Sequence, residues 1–394
     1  MPGVEIDRLE VLRALLAGEA ISHAGARHQG AATPLGGVRL QDLDLHDVEE
    51  QLLARTDLTD LVVLGGALSP ALTVHLVRHG AIVFPSDPQA PLNVYRSQTY
   101  TADELYAGLD GPEGYPGTLD GRTHAWTRDR RSEHDAYATM LRAIHDESIT
   151  DALDDRLDGL PVVGVMGGHA VQRGSNVYAA AARLGFELAQ AGLVVATGGG
   201  PGAMEAANLG AYARNFPSLQ RAMTALGSRP SYQSDVRAWA QTAFAARDLL
   251  GVRESDDPLR SVGIPTWFYG HEPPNAFGQA IAKYFSNALR EDGLLARCTH
   301  GIVVLPGSAG TVQEIFQAAT RVFYQRMPER PAGRGSPPLI LVGRTHWTRT
   351  LPVWPALQTL ARSTPSGRMV QSLHLVDTPG QAAAIVTGRH TSGA

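Results

Sequence analysis

The chain has 394 residues, 43% of them hydrophobic, enough for two domains of ordinary size or for one domain with a long extension. Charged residues make up 19% and the net charge is −5, so no basic field exists to hold a nucleic-acid backbone. The single cysteine, Cys298, excludes an intramolecular disulfide and a cysteine-built zinc site, and Lys283, the only lysine, would have to serve any Schiff-base chemistry.

Residues 1–16 mix Glu5, Asp7, Arg8 and Glu10 among their apolar positions, so a secretory signal is not expected there. No apolar run reaches the length of a bilayer span, and the expected location is cytoplasmic, without membrane or nucleic-acid partners. Leu61-Val62-Val63-Leu64, then Gly65-Gly66, a helical stretch over 71–78 and Ala81-Ile82-Val83-Phe84 read as one β-α-β passage. Residues 111–121 are rich in Gly and Pro and read as loop. A helical stretch over 134–157 leads to Gly159-Leu160-Pro161, the expected boundary between a smaller α/β region, 1–158, with no assigned role and a domain over 159–394.

Beyond it, the apolar run Val162–Met166 ends in Gly167-Gly168 and precedes a helical pattern over 175–191. A second run, 193–196, ends in Gly198-Gly199-Gly200-Pro201-Gly202 and opens another helix. A long connection over 215–259 carries a helix near Val236–Leu250. Then come an apolar run over 262–268, a helix over 277–296, a strand over 301–305, the loop 306–310, a helix over 311–326 and an exposed loop over 330–338. Leu339–Val342 and Leu373–Val376 supply two more strands. Strand, glycine turn, helix in this order predicts a Rossmann-like parallel sheet with helices on both faces.

In Leu305-Pro306-Gly307-Ser308-Ala309-Gly310-Thr311 an apolar strand feeds a flexible turn into a helix start, where amide N–H groups and the helix dipole suit a phosphate. The Gly198–Gly202 turn repeats the arrangement, and Gly167-Gly168 makes a third. One such turn alone is as well explained by tight packing, but loops at the carboxyl ends of parallel strands share one edge and should converge. Glu314, three positions after Thr311, has two readings of equal standing. It is either a carboxylate acting on a ribose or an oxocarbenium-like centre, or the far member of a Thr311–Glu314 capping box.

The segment from Gly301 to Glu314 resembles the P-G-G-x-G-T-x-x-E signature of the LOG family of phosphoribohydrolases. Gly199-Gly200-Pro201-Gly202-Ala203-Met204-Glu205-Ala206, Glu272-Pro273-Pro274-Asn275 and His300-Gly301-Ile302 resemble the branch that cleaves purine and pyrimidine nucleoside 5′-monophosphates. The resemblance covers roughly residues 162–326. It implies hydrolysis of the N-glycosidic bond to free base and ribose 5-phosphate, no cofactor, no metal, and a homodimer or higher homo-oligomer. It also implies that Gly307, Ser308, Gly310 and Thr311 hold the phosphate, that Glu314 acts on the ribose, and that Gly199, Gly200, Met204 and Glu205 line the nucleotide pocket; Gly167, Gly168 and Gly202, on the converging turns, and Asn275 and Arg297 are further candidate binding residues.

Two positions depart from the pattern: Ser308 replaces the second motif glycine, and Glu291 stands where the family places its catalytic arginine. Arg290, one position away, is the substitute candidate, although one step on a helix turns a side chain by about 100°. Arg297 matches a family arginine and reads as a supporting residue or an ion-pair partner. Without the resemblance Asn275 reads as a helix N-cap, His169 as a solvated loop histidine, and Lys283 as a surface or supporting cation. Two rivals remain: a non-catalytic nucleotide sensor or cofactor carrier on the same fold, and a pyridoxal-phosphate enzyme using Lys283.

Overall fold

The computed structural model describes residues 4–18, 22–23, 26–27, 35–129, 135–252, 257–268, 272–324, 337–363 and 367–388. Most of the loop expected over 330–338, the last two residues of the helix expected over 311–326, and His134 lie outside these. The chain forms two compact units: Met1–Gln98 with Arg131–Ala152, and Thr99–Arg130 with Leu153–Ala394.

The first unit holds a four-stranded parallel sheet in the order Glu5–Ile6, Arg39–Gln41, Val62–Leu64, Ile82–Phe84. Helices Leu9–Leu16, Glu49–Leu53 and Pro70–Arg78 pack on it through Leu12, Leu15, Leu52, Leu72 and Leu76, all buried against Ile6, Leu40 and Val63. The β-α-β passage legible in the sequence is thus part of a larger sheet, whose first two strands are too short, two and three residues, to carry an alternating pattern.

The second unit is built on a seven-stranded, wholly parallel sheet in the order Ala280–Ile281, Ser261–Gly263, Val194–Thr197, Val162–Met166, Ile302–Val304, Leu339–Val342, Leu373–Val376. Every residue of Val162–Met166, Val194–Thr197, Ile302–Val304 and Leu339–Val342 is buried. Such continuous apolar runs are what a parallel sheet covered on both faces demands. The chain enters at Val162–Met166, winds outward through three strands, then returns to add Ile302–Val304 on the other side of the first. The strand order therefore reverses between Val162–Met166 and Ile302–Val304, and the crevice beyond the carboxyl ends at such a reversal is where open α/β sheets bind ligands.

The helix expected over 277–296 is absent in its first half. Residues 274–285 form a strand, Ala280–Ile281, within extended chain, and the helix begins only at Asn287 and ends at Arg297. All twelve residues from Pro274 to Phe285 are buried, so no solvent-facing stripe exists to make a helix amphipathic. Asn275 accordingly caps no helix. The connection over 215–259 contains Phe216–Leu226, started by Asn215 accepting from Ser218 N, besides the expected Val236–Leu250.

Residues 99–129 pack within the second unit. Tyr100 exchanges backbone hydrogen bonds with Ile281 at 2.8 and 2.9 Å, which occupies the open edge of the sheet beside Ala280–Ile281. Tyr106 Oη donates to Pro274 O at 2.6 Å, and Asp103 pairs with Arg247 at 2.8 Å. Buried Asp120 accepts from Lys283 Nζ at 2.6 Å and Trp267 Nε1 at 2.8 Å, and Tyr115 Oη also donates to it. Lys283 is therefore neither helical nor at the surface. Burial pushes its ammonium below the ordinary lysine range, and the Asp120 carboxylate opposes that shift. Among the described residues no helix is long and apolar enough to cross a membrane.

Candidate functional site

The three glycine turns meet at the strand-order reversal. Gly168 N donates to Pro306 O at 3.2 Å, which ties the turn after Val162–Met166 to the turn after Ile302–Val304. Together with Gly198 and Gly200 they floor a cleft of about 350 Å³, whose walls include Met204, Glu272, Arg290, Glu291, Glu314 and the Ser308–Thr311 helix start.

The helix Ala309–Phe323 begins three residues earlier than the capping-box reading of Thr311 requires, and Ser308 occupies the N-cap with no side-chain cap bond. The first-turn amides of a helix have no intrahelical acceptor. Here they open into the cleft with Ser308, Ala309 and Gly310 exposed at its mouth. Gly307 is required by close approach: a Cβ there would lie 2.1 Å from Thr311 Oγ1. Gly202 is required by its left-handed φ of +75°, with a Cβ 2.5 Å from the carbonyls of Gly168 and His169. Ser308, with φ −121°, needs no glycine, and its side chain, which makes no cap bond, lines the cleft.

Glu314 points into the cleft and meets Arg290, Nη1 to Oε1 at 3.3 Å, with the two side chains 12% and 8% exposed. The capping-box reading is thereby replaced: the carboxylate's partner is a guanidinium and not a helix amide. Burial raises the Glu314 pKa above its ordinary value, Arg290 lowers it, and Glu291 raises it further. Arg290 reaches the cleft despite its register because Asn287 Oδ1 accepts from both Nη2, at 2.8 Å, and Nε, at 3.2 Å, swinging the long side chain over Gly198. Glu291, 1% exposed, accepts from Asn287 Nδ2 at 2.8 Å and Gln313 Nε2 at 2.5 Å, and pairs with Arg290 at 3.3 Å. The acid in the expected arginine position thus helps fix the displaced arginine.

Several predicted binding residues do not line the cleft, among them Gly307, which packs on Thr311, and Gly202, which lines a side cavity. Glu205, buried, is locked in a two-point ion pair with Arg173, whose guanidinium also lies 4.2 Å over the Trp239 ring. It lines the same side cavity, of about 150 Å³, shared with Tyr232 and Trp239. Arg297, at the far end of its helix, pairs with Asp154 at 2.8 Å and donates to Gly293 O at 2.9 Å. Asn275 is buried behind the floor: its Nδ2 donates to Gly200 O at 3.2 Å and Asn208 Oδ1 at 3.0 Å, and its N–H donates to Gly199 O at 2.8 Å. Gly199 likewise belongs to the turn without lining the cleft.

A buried polar network missed from the sequence completes this support. Asn208 accepts from Thr197 Oγ1 at 2.6 Å and donates to Ser261 Oγ at 2.9 Å and Val262 O at 3.1 Å, while Thr197 Oγ1 accepts from Gly199 N at 2.9 Å. Asn208 sits mid-helix among alanines, and only its depth marks it. Glu272 was legible within Glu272-Pro273-Pro274-Asn275. It stands over Gly200 and faces His169, Nδ1 to Oε1 at 3.6 Å.

Residues 160–256 match the profile described as the SLOG cluster4 family. No curated protein matches the chain in sequence. Among solved structures, the molybdenum cofactor binding protein of Rippkaea orientalis is 16% identical with a TM-score of 0.31, covering 59% of this chain and 98% of its own. The molybdenum cofactor carrier protein of Chlamydomonas reinhardtii is 15% identical with the same TM-score, covering 58% and 98%. The strand order of the second unit defines a Rossmann-like parallel α/β fold.

Proposed function

We propose that this protein hydrolyses the N-glycosidic bond of a nucleoside 5′-monophosphate, as its LOG-like motifs imply. The observation that carries the reading is the meeting of Glu314 and Arg290 at 3.3 Å in the same cleft as the uncapped helix start at Ser308–Thr311. The amides and the helix dipole anchor the 5′-phosphate, and that remote binding energy holds the ribose in reacting geometry. The Glu314 carboxylate contacts the ribose hydroxyls and stabilises positive charge at the anomeric carbon as the base departs, and water completes the hydrolysis. Arg290 holds the carboxylate in place and keeps a positive charge beside it.

Lys283 gives no support to a Schiff-base reaction, since its ammonium is engaged by Asp120 and does not line the cleft. Incubation with a panel of ribo- and deoxyribonucleoside 5′-monophosphates, with free base read by chromatography, tests the proposal. Base release abolished by Glu314→Ala supports it. Binding of nucleotide without release assigns the cleft to a carrier or sensor instead.

A further inference from the structure

The side cavity adjoins the cleft at His169. Its 150 Å³ is about ten times the ~10–15 Å³ that a single water needs, and it is lined by Gln172, Ser231, Tyr232, Gln233 and Trp239, a mixture of ring faces and amides. Its negative charge is spent: Glu205 at its base is paired with Arg173. Among the described residues only His169 lines both the side cavity and the cleft. A nucleotide with its phosphate at the helix start and its base in the side cavity must carry its glycosidic bond past that histidine. His169 is 49% exposed, and its Nδ1 faces Glu272 Oε1 at 3.6 Å, a separation that commonly tightens when a ligand fills a site.

We infer that His169, positioned by Glu272, is the acid that protonates the departing base. The inference rests on reading the site as a nucleotide hydrolase. The bond between the base nitrogen and the anomeric carbon breaks with its electron pair going to nitrogen. A ring N–H of His169 donates its proton to the base as that charge develops. Water bonds to the anomeric carbon, its proton passing to the Glu314 carboxylate, and both side chains re-equilibrate with solvent. Glu314 and His169 thus serve opposite ends of one bond, and the side cavity receives the neutral base.

The test compares His169→Gln and Glu314→Ala on two substrates: the best nucleotide of the panel, and 4-nitrophenyl riboside 5-phosphate, whose leaving group needs no proton. For His169→Gln the expected loss in kcat is about 10²–10⁴-fold on the nucleotide and under about tenfold on the nitrophenyl compound. Glu314→Ala should lose activity on both. Equal losses for His169→Gln on the two substrates, with its thermal unfolding unchanged, would overturn the acid role while leaving the hydrolase reading intact. No base release by the wild-type protein from any nucleotide would overturn both.

Discussion

At the scale of single residues, the cleft joins a carboxylate and a guanidinium whose spacing in the sequence is out of register. Glu314 was legible from its motif, and Arg290 only as a substitute one position off: the register pointed to position 291, and the Asn287 contacts bring Arg290 round to the carboxylate. The pair sets a pH dependence with a definite sign. Because burial raises the folded-state pKa of Glu314 above its ordinary value of 4.5, the native protein holds that proton where the unfolded chain has lost it. This group's contribution therefore favours folding at low pH and falls as pH rises from 4.5 through the raised value. Glu314→Gln should melt at a higher temperature than wild type at pH 7, with the difference vanishing below pH 4.5. Over the same window kcat for base release should climb with pH, since the ionised form does the work. A flat profile would place the activity elsewhere. Arg290→Lys keeps the charge but not the planar fork that bridges Asn287, Glu291 and Glu314, so kcat should fall about 10²–10³-fold in steady-state assays.

At the scale of elements, the glycine turns act as a site only because buried groups hold them in one shape. Asn208 and Asn275 satisfy the turn's backbone from behind, and an alanine at 208 leaves Thr197, Ser261 and Asn275 short of partners. Asn208→Ala should cost about 1–3 kcal/mol per group left unsatisfied, read by urea denaturation, and should weaken nucleotide binding without touching the cleft itself. Gly307→Ala should block phosphate binding with little change in stability beyond the loop, because its methyl meets Thr311 Oγ1. Periodicity resolved most elements of the larger unit, since Val162–Met166 is a continuous apolar run and helices such as Asn176–Gln190 and Ala309–Phe323 are amphipathic. It failed over residues 274–285, where complete burial erases the distinction between a strand and a core helix, and at Asn208, whose importance lies in three-dimensional neighbours.

At the scale of the molecule, sequence placed one boundary near residue 158, whereas the compact units alternate along the chain, with Thr99–Arg130 grouped with Leu153–Ala394. A polar and Gly/Pro-rich stretch gives no local sign that Tyr100 will occupy the edge of a distant sheet or that Asp120 will neutralise the only lysine. Asp120→Ala strands a buried ammonium and should cost about 3–5 kcal/mol in chemical denaturation. A chain beginning at Gly159 loses the same pairing and should be less stable than one beginning at Thr99. The measurement that bears most directly on the central claim is base release from nucleoside 5′-monophosphates by wild type and Glu314→Gln. The account predicts free base and ribose 5-phosphate from the wild type and a loss of about 10²–10⁴-fold in the variant, with nucleotide affinity retained. Tight nucleotide binding with no base released by either protein would contradict it.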